Sequence, residues 1–274
     1  MPELPEVETI VRDLRPLLVG RTFIEASLRH TDVLRGVRRK PLLAALTGAT
    51  VRAMLRRAKH AVLDLGERRL VVQPGMTGSL IVYDRPLTAE EDRYAVLTAR
   101  LDDGRLLAYR DVRRLGTILL LDAPGWRSYD AHYGPEPLDP AFGPVEFAGA
   151  VGRTRQAIKK ALMDQRLLAG VGNIYANEAL FAAGIDPSRR ADRLAPEELT
   201  RLHHEVRRIL CAAIESNGTT FRDYRTGTGE AGNFQLELFV YGREGEHCKV
   251  CGTRLAGTHA IDARITVFCH RCQA

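Results

Sequence analysis

The chain has 274 residues, 45% hydrophobic and 27% charged, with 40 Lys and Arg against 34 Asp and Glu for a formal net charge of +6. That length supports one large domain or two ordinary ones, and the composition excludes a disordered or fibrous chain. No apolar signal segment opens the sequence, and no apolar run approaches the roughly 20 residues that span a bilayer; this points to a cytoplasmic protein with no membrane partner, whose basic balance favours a polyanion.

The opening segment predicts a helix, because Val7, Ile10, Val11, Leu14, Leu17 and Leu18 recur at helical spacing. Pro5 suits its first turn, Glu6 and Glu8 suit the positive end of its dipole, and Gly20 suits its C-cap. Pro16 is expected to bend or shorten its end. From Thr22 to Leu121 the pattern is mostly short strands: RTFIEASL, HAVLDL, RLVVQ, GSLIVY, YAVLTARL, RLLAYR and GTILLL. Gly66-Glu67 and Asp103-Gly104 read as hairpin tips, and the meander order suggests an antiparallel sandwich. Prolines and glycines crowd residues 122–144, which reads as an interdomain linker without helix or strand. Helical patterns follow at 145–151, 155–163, 176–183 and 196–216, then a polar, Gly-rich loop at 217–232. Positive charge gathers at Arg38-Arg39-Lys40, at Arg56-Arg57 with Lys59, at Arg113-Arg114 and at Lys159-Lys160; by itself such a run is as well explained by a solvated face.

Four of the five cysteines fall in the last 27 residues, as Cys248-x2-Cys251 and, after 17 intervening residues, Cys269-x2-Cys272. Two such knuckles form the pattern of a tetrahedral four-thiolate zinc site. Four sulfurs close the coordination sphere, so the expected cofactor is one structural Zn2+ whose binding helps fold the final segment. A redox dithiol pair is the competing reading, and His247, His259 and His270 are nearby alternative ligands. Cys211 lies in a helical pattern and reads as a core residue.

The start, Met1-Pro2-Glu3, carries a different chemistry. Methionine before a small residue is commonly removed, which would leave Pro2 with a free secondary amine. An α-amino group titrates near about 7.7–8.0, so part of it is nucleophilic at neutrality and can form an iminium with an aldehyde-like carbon. With Met1 attached, that nitrogen is an amide and no nucleophile.

The string MPELPEVET resembles the N-terminus of the formamidopyrimidine-DNA glycosylase family, related to endonuclease VIII. The resemblance runs the whole chain, through RRAKHAVLDL, PGMTGSL, DVRRLG, GPEPLDP, AIKKALMDQRLLAGVGNIYANEALFAAGI, GNFQLELFVYGREGEHCKVCG and ARITVFCHRCQ. It implies an α+β fold of two domains. An N-terminal helix and antiparallel β-sandwich carry catalysis over residues 1–122. After the linker at 123–144 come a helix–two-turn–helix domain with a lesion loop at 145–233 and a four-cysteine zinc hairpin at 234–274. The implied protein is a monomer of bacterial type that works on damaged double-stranded DNA, nucleoid-associated when bound, in a basic cleft between its domains.

The resemblance also implies roles. Pro2 matches the proline that attacks the sugar carbon bearing the damaged base, and Glu3 the glutamate that donates a proton as the sugar opens. Lys59 matches a lysine on a sandwich strand that assists base loss and elimination. Elimination at both phosphates would leave a gapped strand, and Arg264 matches an arginine tied to the second elimination and to phosphate binding. Met76, Arg113 and Leu115 match three residues that fill the gap left by a flipped-out base, although Met76 and Leu115 read by themselves as core. Asn173 and Lys159 match phosphate contacts, and Arg155 does so more weakly. The chain departs from the family in four places: Leu115 stands for a wedge phenylalanine, Val112 for a proline and Gln73 for a histidine. A DNA-contacting histidine near 90–96 is missing, with Arg93 or Tyr94 as substitutes. Leu4 and the MTGS-type strand favour oxidised purines such as 8-oxoguanine and formamidopyrimidines as substrates. Oxidised pyrimidines, or a non-catalytic zinc-finger DNA-binding protein on the same scaffold, are the alternatives.

Overall fold

The computed structural model describes residues 1–220 and 224–274. They form two compact units, Met1–Asp130 with Ser216–Gln235, and Ala131–Glu215 with Leu236–Ala274.

The first unit begins with helix α1 (Leu4–Leu18), whose Leu4, Val7, Ile10, Val11, Leu14 and Leu18 are fully buried. Pro16 lies inside α1 on its exposed face and does not end it. Buried Leu14 and Leu18 hold the last turn regardless of the missing N–H. Two antiparallel four-stranded sheets follow, one ordered β1-β6-β7-β5 and the other β2-β3-β4-β8. Their strands are β1 (Phe23–Leu28), β2 (Ala53–Arg57), β3 (His60–Asp64), β4 (Arg68–Gln73), β5 (Gly78–Tyr83), β6 (Ala95–Leu101), β7 (Leu106–Asp111) and β8 (Thr117–Asp122). Both sheets contribute to one core, among them Phe23, Leu63, Leu70, Val72, Leu80, Leu97, Leu107 and Tyr109. The void that these side chains leave is only about 10 Å³, so the sandwich is packed like other protein interiors.

Three elements go beyond the sequence reading. Strand β2 (AMLRR) does not alternate in a legible way, yet it pairs in full register with β3. Helix α2 (Arg39–Leu46) starts in the basic run and buries only Leu42 and Leu46. The short α3 (Ala89–Arg93) is set by a capping box between Thr88 and Glu91. The linker reading also needs a correction, since α4 (Ala123–Asp130) occupies its start despite Pro124 and Gly125. Asp122 Oδ1 accepts the Gly125 N–H at 2.9 Å, and tertiary contacts hold the rest. The Arg69 guanidinium lies 5.1 Å over the Trp126 ring, Tyr129 meets His60 edge-on at 5.7 Å, and Asp130 pairs with Arg57.

The second unit contains α5 (Pro144–Val151), α6 (Ile158–Met163), α7 (Asn173–Ala182) and α8 (Pro196–Glu215), followed by the hairpin β9 (Ala256–Thr258) and β10 (Thr266–Phe268). Helix α6 begins three residues later than its pattern suggests, and α7 three residues earlier. Cys211 is exposed on α8 and is not the core residue that the pattern suggested. The loop after α8 also departs from the expected grouping. Its described arms pack on α1, where Thr219 N donates to Glu6 Oε1 at 2.8 Å, Tyr224 Oη to Glu6 O at 3.2 Å and Gly227 N to Asp13 Oδ2 at 3.0 Å. Phe221, Arg222 and Asp223 of that loop lie outside the described residues.

Burial beneath α4 pushes the His60 imidazole down from 6.5 to about 4, against a hydrogen bond from Nδ1 to Arg57 O and another to the Gln73 side chain. The unfolded chain therefore binds the extra proton between those two pH values. The stability that this neutral histidine contributes is complete above about pH 6.5 and is lost as the pH falls toward 4. Urea unfolding at pH 7 and pH 5 should differ by about 2 kcal/mol from this group. His60→Phe should remove most of that difference, and an unchanged pH dependence in the variant would contradict the assignment.

Candidate active site and metal centre

Pro2 is buried at the start of α1, and Glu3, 5% exposed, is the N-cap. Glu6 closes a capping box, its Oε2 accepting the Glu3 N–H at 2.8 Å while Oε1 takes Thr219 N. This carboxylate is thus more than an ordinary cap. It holds the backbone beside Pro2 and one arm of the 216–235 loop at once.

Lys59 sits in the two-residue turn between β2 and β3 and not on a strand as the resemblance implied. The turn is tight enough to force Ala58 to φ +51°. Lys59 is 5% exposed, so the reading of an ordinary solvated lysine does not apply. Arg56 braces the turn from within the sheet: Nη1 donates to Ala58 O at 3.1 Å and Nε to Glu8 Oε2 on α1 at 2.9 Å. Burial alone would raise the Glu8 carboxyl, but Arg56 and then Arg12 outweigh it and hold it low. Helix α1 packs on both β2 and β3, so Pro2, Glu3 and Lys59 belong to one assembly.

Met76, Arg113 and Leu115 stand on two adjacent loops, before β5 and after β7. Met76 is 49% and Leu115 55% exposed, which overturns the core reading of both. Val112 is exposed as well. The Arg113 Nη1 lies 3.8 Å from Met76 Sδ, which brings the two loop tips together. Arg114 takes φ +50° between them and bonds Asp32. Tyr94 caps α3 under the Arg93 guanidinium, and its carbonyl accepts Asp111 N at 3.1 Å.

In the second unit the expected phosphate-binding residues divide. Arg155 is exposed. Lys159 is fully buried, with Nζ donating to Thr266 Oγ1 at 2.7 Å and to Ile265 O at 3.2 Å. An enclosed ammonium reaches no phosphate, so in this conformation it braces the hairpin. Asn173 Nδ2 donates to the same Ile265 carbonyl at 3.1 Å, and Asn177 Oδ1 accepts Val267 N at 2.8 Å. These bonds fix the strand that follows Arg264. The Arg264 side chain is 55% exposed and loosely paired with Asp262 at 3.3 Å.

The four cysteines bring their Sγ atoms within 4.8 Å of one another, with Cys248 and Cys272 3.9 Å apart and Cys251 and Cys269 3.4 Å apart. A tetrahedron with sulfurs about 2.3 Å from its centre has edges of about 3.8 Å, so the set fits one metal ion. Each knuckle shares its edge with the other, which a pair of separate dithiols would not require.

The sequence reading missed Arg56, Asp111, Thr77 and Glu178. Glu178 carried a signal, as an acid inside a helix that is otherwise almost wholly buried. It accepts the N–H groups of Phe239, Val240 and Tyr241 at 2.9, 2.9 and 2.7 Å. Burial raises its carboxyl, against those three bonds and Lys249.

Residues 1–118 match the family described as Formamidopyrimidine-DNA glycosylase N-terminal domain, and residues 133–225 the Formamidopyrimidine-DNA glycosylase H2TH domain. A formamidopyrimidine-DNA glycosylase from Thermomicrobium roseum is 45% identical over 100% of this chain and 99% of its own. Among solved structures, the Lactococcus lactis FPG (MutM) in complex with a Fapy-dG-containing DNA superposes with a TM-score of 0.87, at 32% identity over 99% of both chains. The MutM (FPG) protein of Thermus thermophilus gives 0.86 at 37% identity, over 99% of this chain and 98% of that one.

Replacing Glu178 by Ala should strand three backbone N–H groups, that of Val240 buried and two part-buried, and destabilise the second unit by about 2 kcal/mol. Amide exchange at residues 239–241 should accelerate in the variant, and undiminished protection there would refute the role given to this carboxylate.

Proposed function

The chain belongs to the formamidopyrimidine-DNA glycosylase family, and from that premise we propose that it is a base-excision repair glycosylase that cuts the strand by a Pro2 iminium intermediate. Once Met1 is removed, the Pro2 nitrogen attacks the sugar carbon bearing the damaged base. The carbon–base bond breaks and the base leaves with a proton. The Pro2 nitrogen, left protonated by its attack, gives up its N–H proton and so regains an electron pair; as Glu3 protonates the ring oxygen and the carbon–oxygen bond opens, that pair forms the iminium. Lys59 assists these proton movements and the first elimination, and Arg264 the second, which releases the other phosphate. Hydrolysis of the iminium returns free Pro2.

Met76, Arg113 and Leu115 fill the gap left by the flipped-out base, and Arg155, Asn173 and Tyr94 contact the DNA backbone. Lys159 reaches a phosphate only if the hairpin moves, and otherwise acts through Arg264. Cys248, Cys251, Cys269 and Cys272 hold one Zn2+, which supplies no chemistry to the reaction but shapes the hairpin that carries Arg264. Oxidised purines are the proposed substrates. The Lactococcus relative bound to Fapy-dG DNA supports that class, as does the MTGS segment that leads into β5. The observation that carries the reading is the packing of α1, led by Pro2 and Glu3, on the hairpin whose turn is Lys59.

Borohydride added to the processed protein with duplexes carrying single 8-oxoguanine, formamidopyrimidine or oxidised-pyrimidine lesions, or an abasic site, should trap a covalent complex on the purine lesions and the abasic site. Retention of Met1, which makes the Pro2 nitrogen an amide, should abolish trapping. Trapping through a residue other than the chain's first in a folded protein that retains Met1 would move the nucleophile elsewhere, and no trapping on any duplex would sink the enzymatic reading. Chelation or Cys269→Ser should cost DNA affinity at least tenfold, measured by anisotropy at fixed salt; equal affinity would remove the hairpin from the DNA contact.

A further inference from the structure

The two loops that carry Met76, Arg113 and Leu115 meet over one buried carboxylate that no part of the reaction scheme uses. Asp111, 1% exposed, ends β7. Its Oδ1 accepts Thr77 Oγ1 at 2.5 Å, and its Oδ2 accepts Tyr109 Oη at 3.0 Å and Gly116 N at 2.9 Å. Burial, then the charge of Asp111, push the Tyr109 hydroxyl far above its ordinary range and keep it a donor. A carboxylate accepts only, so three donors aimed at it suit the ionised form. Because Thr77 gives its proton to Asp111, its oxygen is left to accept Arg113 N, which it does at 3.0 Å. The chain of bonds therefore runs from Asp111, through Thr77 of one loop, to the residue of the other loop that carries the guanidinium. The two backbones also approach closely: a Cβ on Gly75 would lie 2.6 Å from Gly116 N, and one on Gly116 would lie 2.8 Å from Gly75 N. Met76 and Leu115 thus hold exposed apolar side chains on loops whose roots are fixed from beneath.

We propose that Asp111 is a positioning residue that locks the two loops into a single wedge, with Thr77 as its relay to Arg113; this rests on the glycosylase reading given above. Filling the space of an extruded base requires side chains from both loops to enter the stack together. A shift of one loop by about 1 Å is enough to cost roughly ten- to a hundredfold in rate. Asp111→Asn replaces one of two acceptor oxygens by a donor, and Thr77→Val removes the relay while keeping the side chain's shape.

The test is single-turnover base excision from a lesion duplex by each variant, in the wild-type background and in one with Met76, Arg113 and Leu115 all changed to Ala. Both substitutions should slow excision about tenfold or more in the first background and add almost nothing in the second, where no wedge remains to be positioned. Equal losses in the two backgrounds would reduce Asp111 to a structural residue, and no loss in the first would overturn the proposal outright. If Asp111→Asn does not fold, Thr77→Val alone decides between the same outcomes. A wild-type protein inactive on every lesion duplex would instead sink the glycosylase reading, and the positioning role with it.

Discussion

A carboxylate withdrawn from water must be met by donors, because its desolvation otherwise costs several kcal/mol. Glu6, Asp111 and Glu178 are each at most 4% exposed, and each takes backbone N–H groups from a segment outside its own helix or strand. Glu6 holds the loop after α8, Asp111 joins the loops on either side of β5 and β7, and Glu178 anchors the chain that leads to the hairpin. In all three the partner segment is irregular and has few ladder bonds of its own. The buried charge therefore does for these loops what a sheet does for a strand: it satisfies N–H groups and fixes position.

That arrangement explains how exposed apolar side chains are tolerated where they stand. Met76, Val112 and Leu115 sit on short loops rooted in Asp111, Gly75 and Gly116, and cannot fold back into the core without breaking those contacts. The sandwich beneath is already full, with a residual void of about 10 Å³. Burying either Met76 or Leu115 there would overpack it. The same reasoning applies to Lys59, whose turn is braced by Arg56 against Glu8, so that its enclosure is set by α1 and the β2–β3 hairpin together.

What the sequence disclosed follows from the range of the forces involved. The periodicity of α1, the alternation of most strands and the paired CxxC knuckles are local patterns, and they were legible. Helix α4 was not, because Pro124 and Gly125 argue against it, while Trp126, Tyr129 and Asp130 meet Arg69, His60 and Arg57, which are distant in sequence. The burial of Lys159 was illegible for the same reason: nothing near it in sequence announces that Thr266 and Ile265 will enclose its ammonium group. The core assignment of Met76 and Leu115 from their residue type failed because the deciding residue, Asp111, lies on a strand between them and has no pattern of its own. The family resemblance supplied those positions where physical reading of the residues could not.

The hairpin shows how two unlike interactions divide one task. Its knuckles place the thiols of Cys248, Cys251, Cys269 and Cys272 within 4.8 Å, a spacing that fits one metal ion. Its other attachment needs no metal. Lys159, Asn173 and Asn177 bond Ile265, Thr266 and Val267, and Gln273 links Cys269 N to the Ile185 carbonyl. Arg264 precedes that braced strand directly. Its backbone is fixed by its neighbours and by Asp262, while its side chain keeps more than half its surface in water. The polar brace holds the backbone beside this guanidinium whatever its side chain is paired with. The end with the four thiols is built to take one metal ion, and the helix end gives this one residue its place.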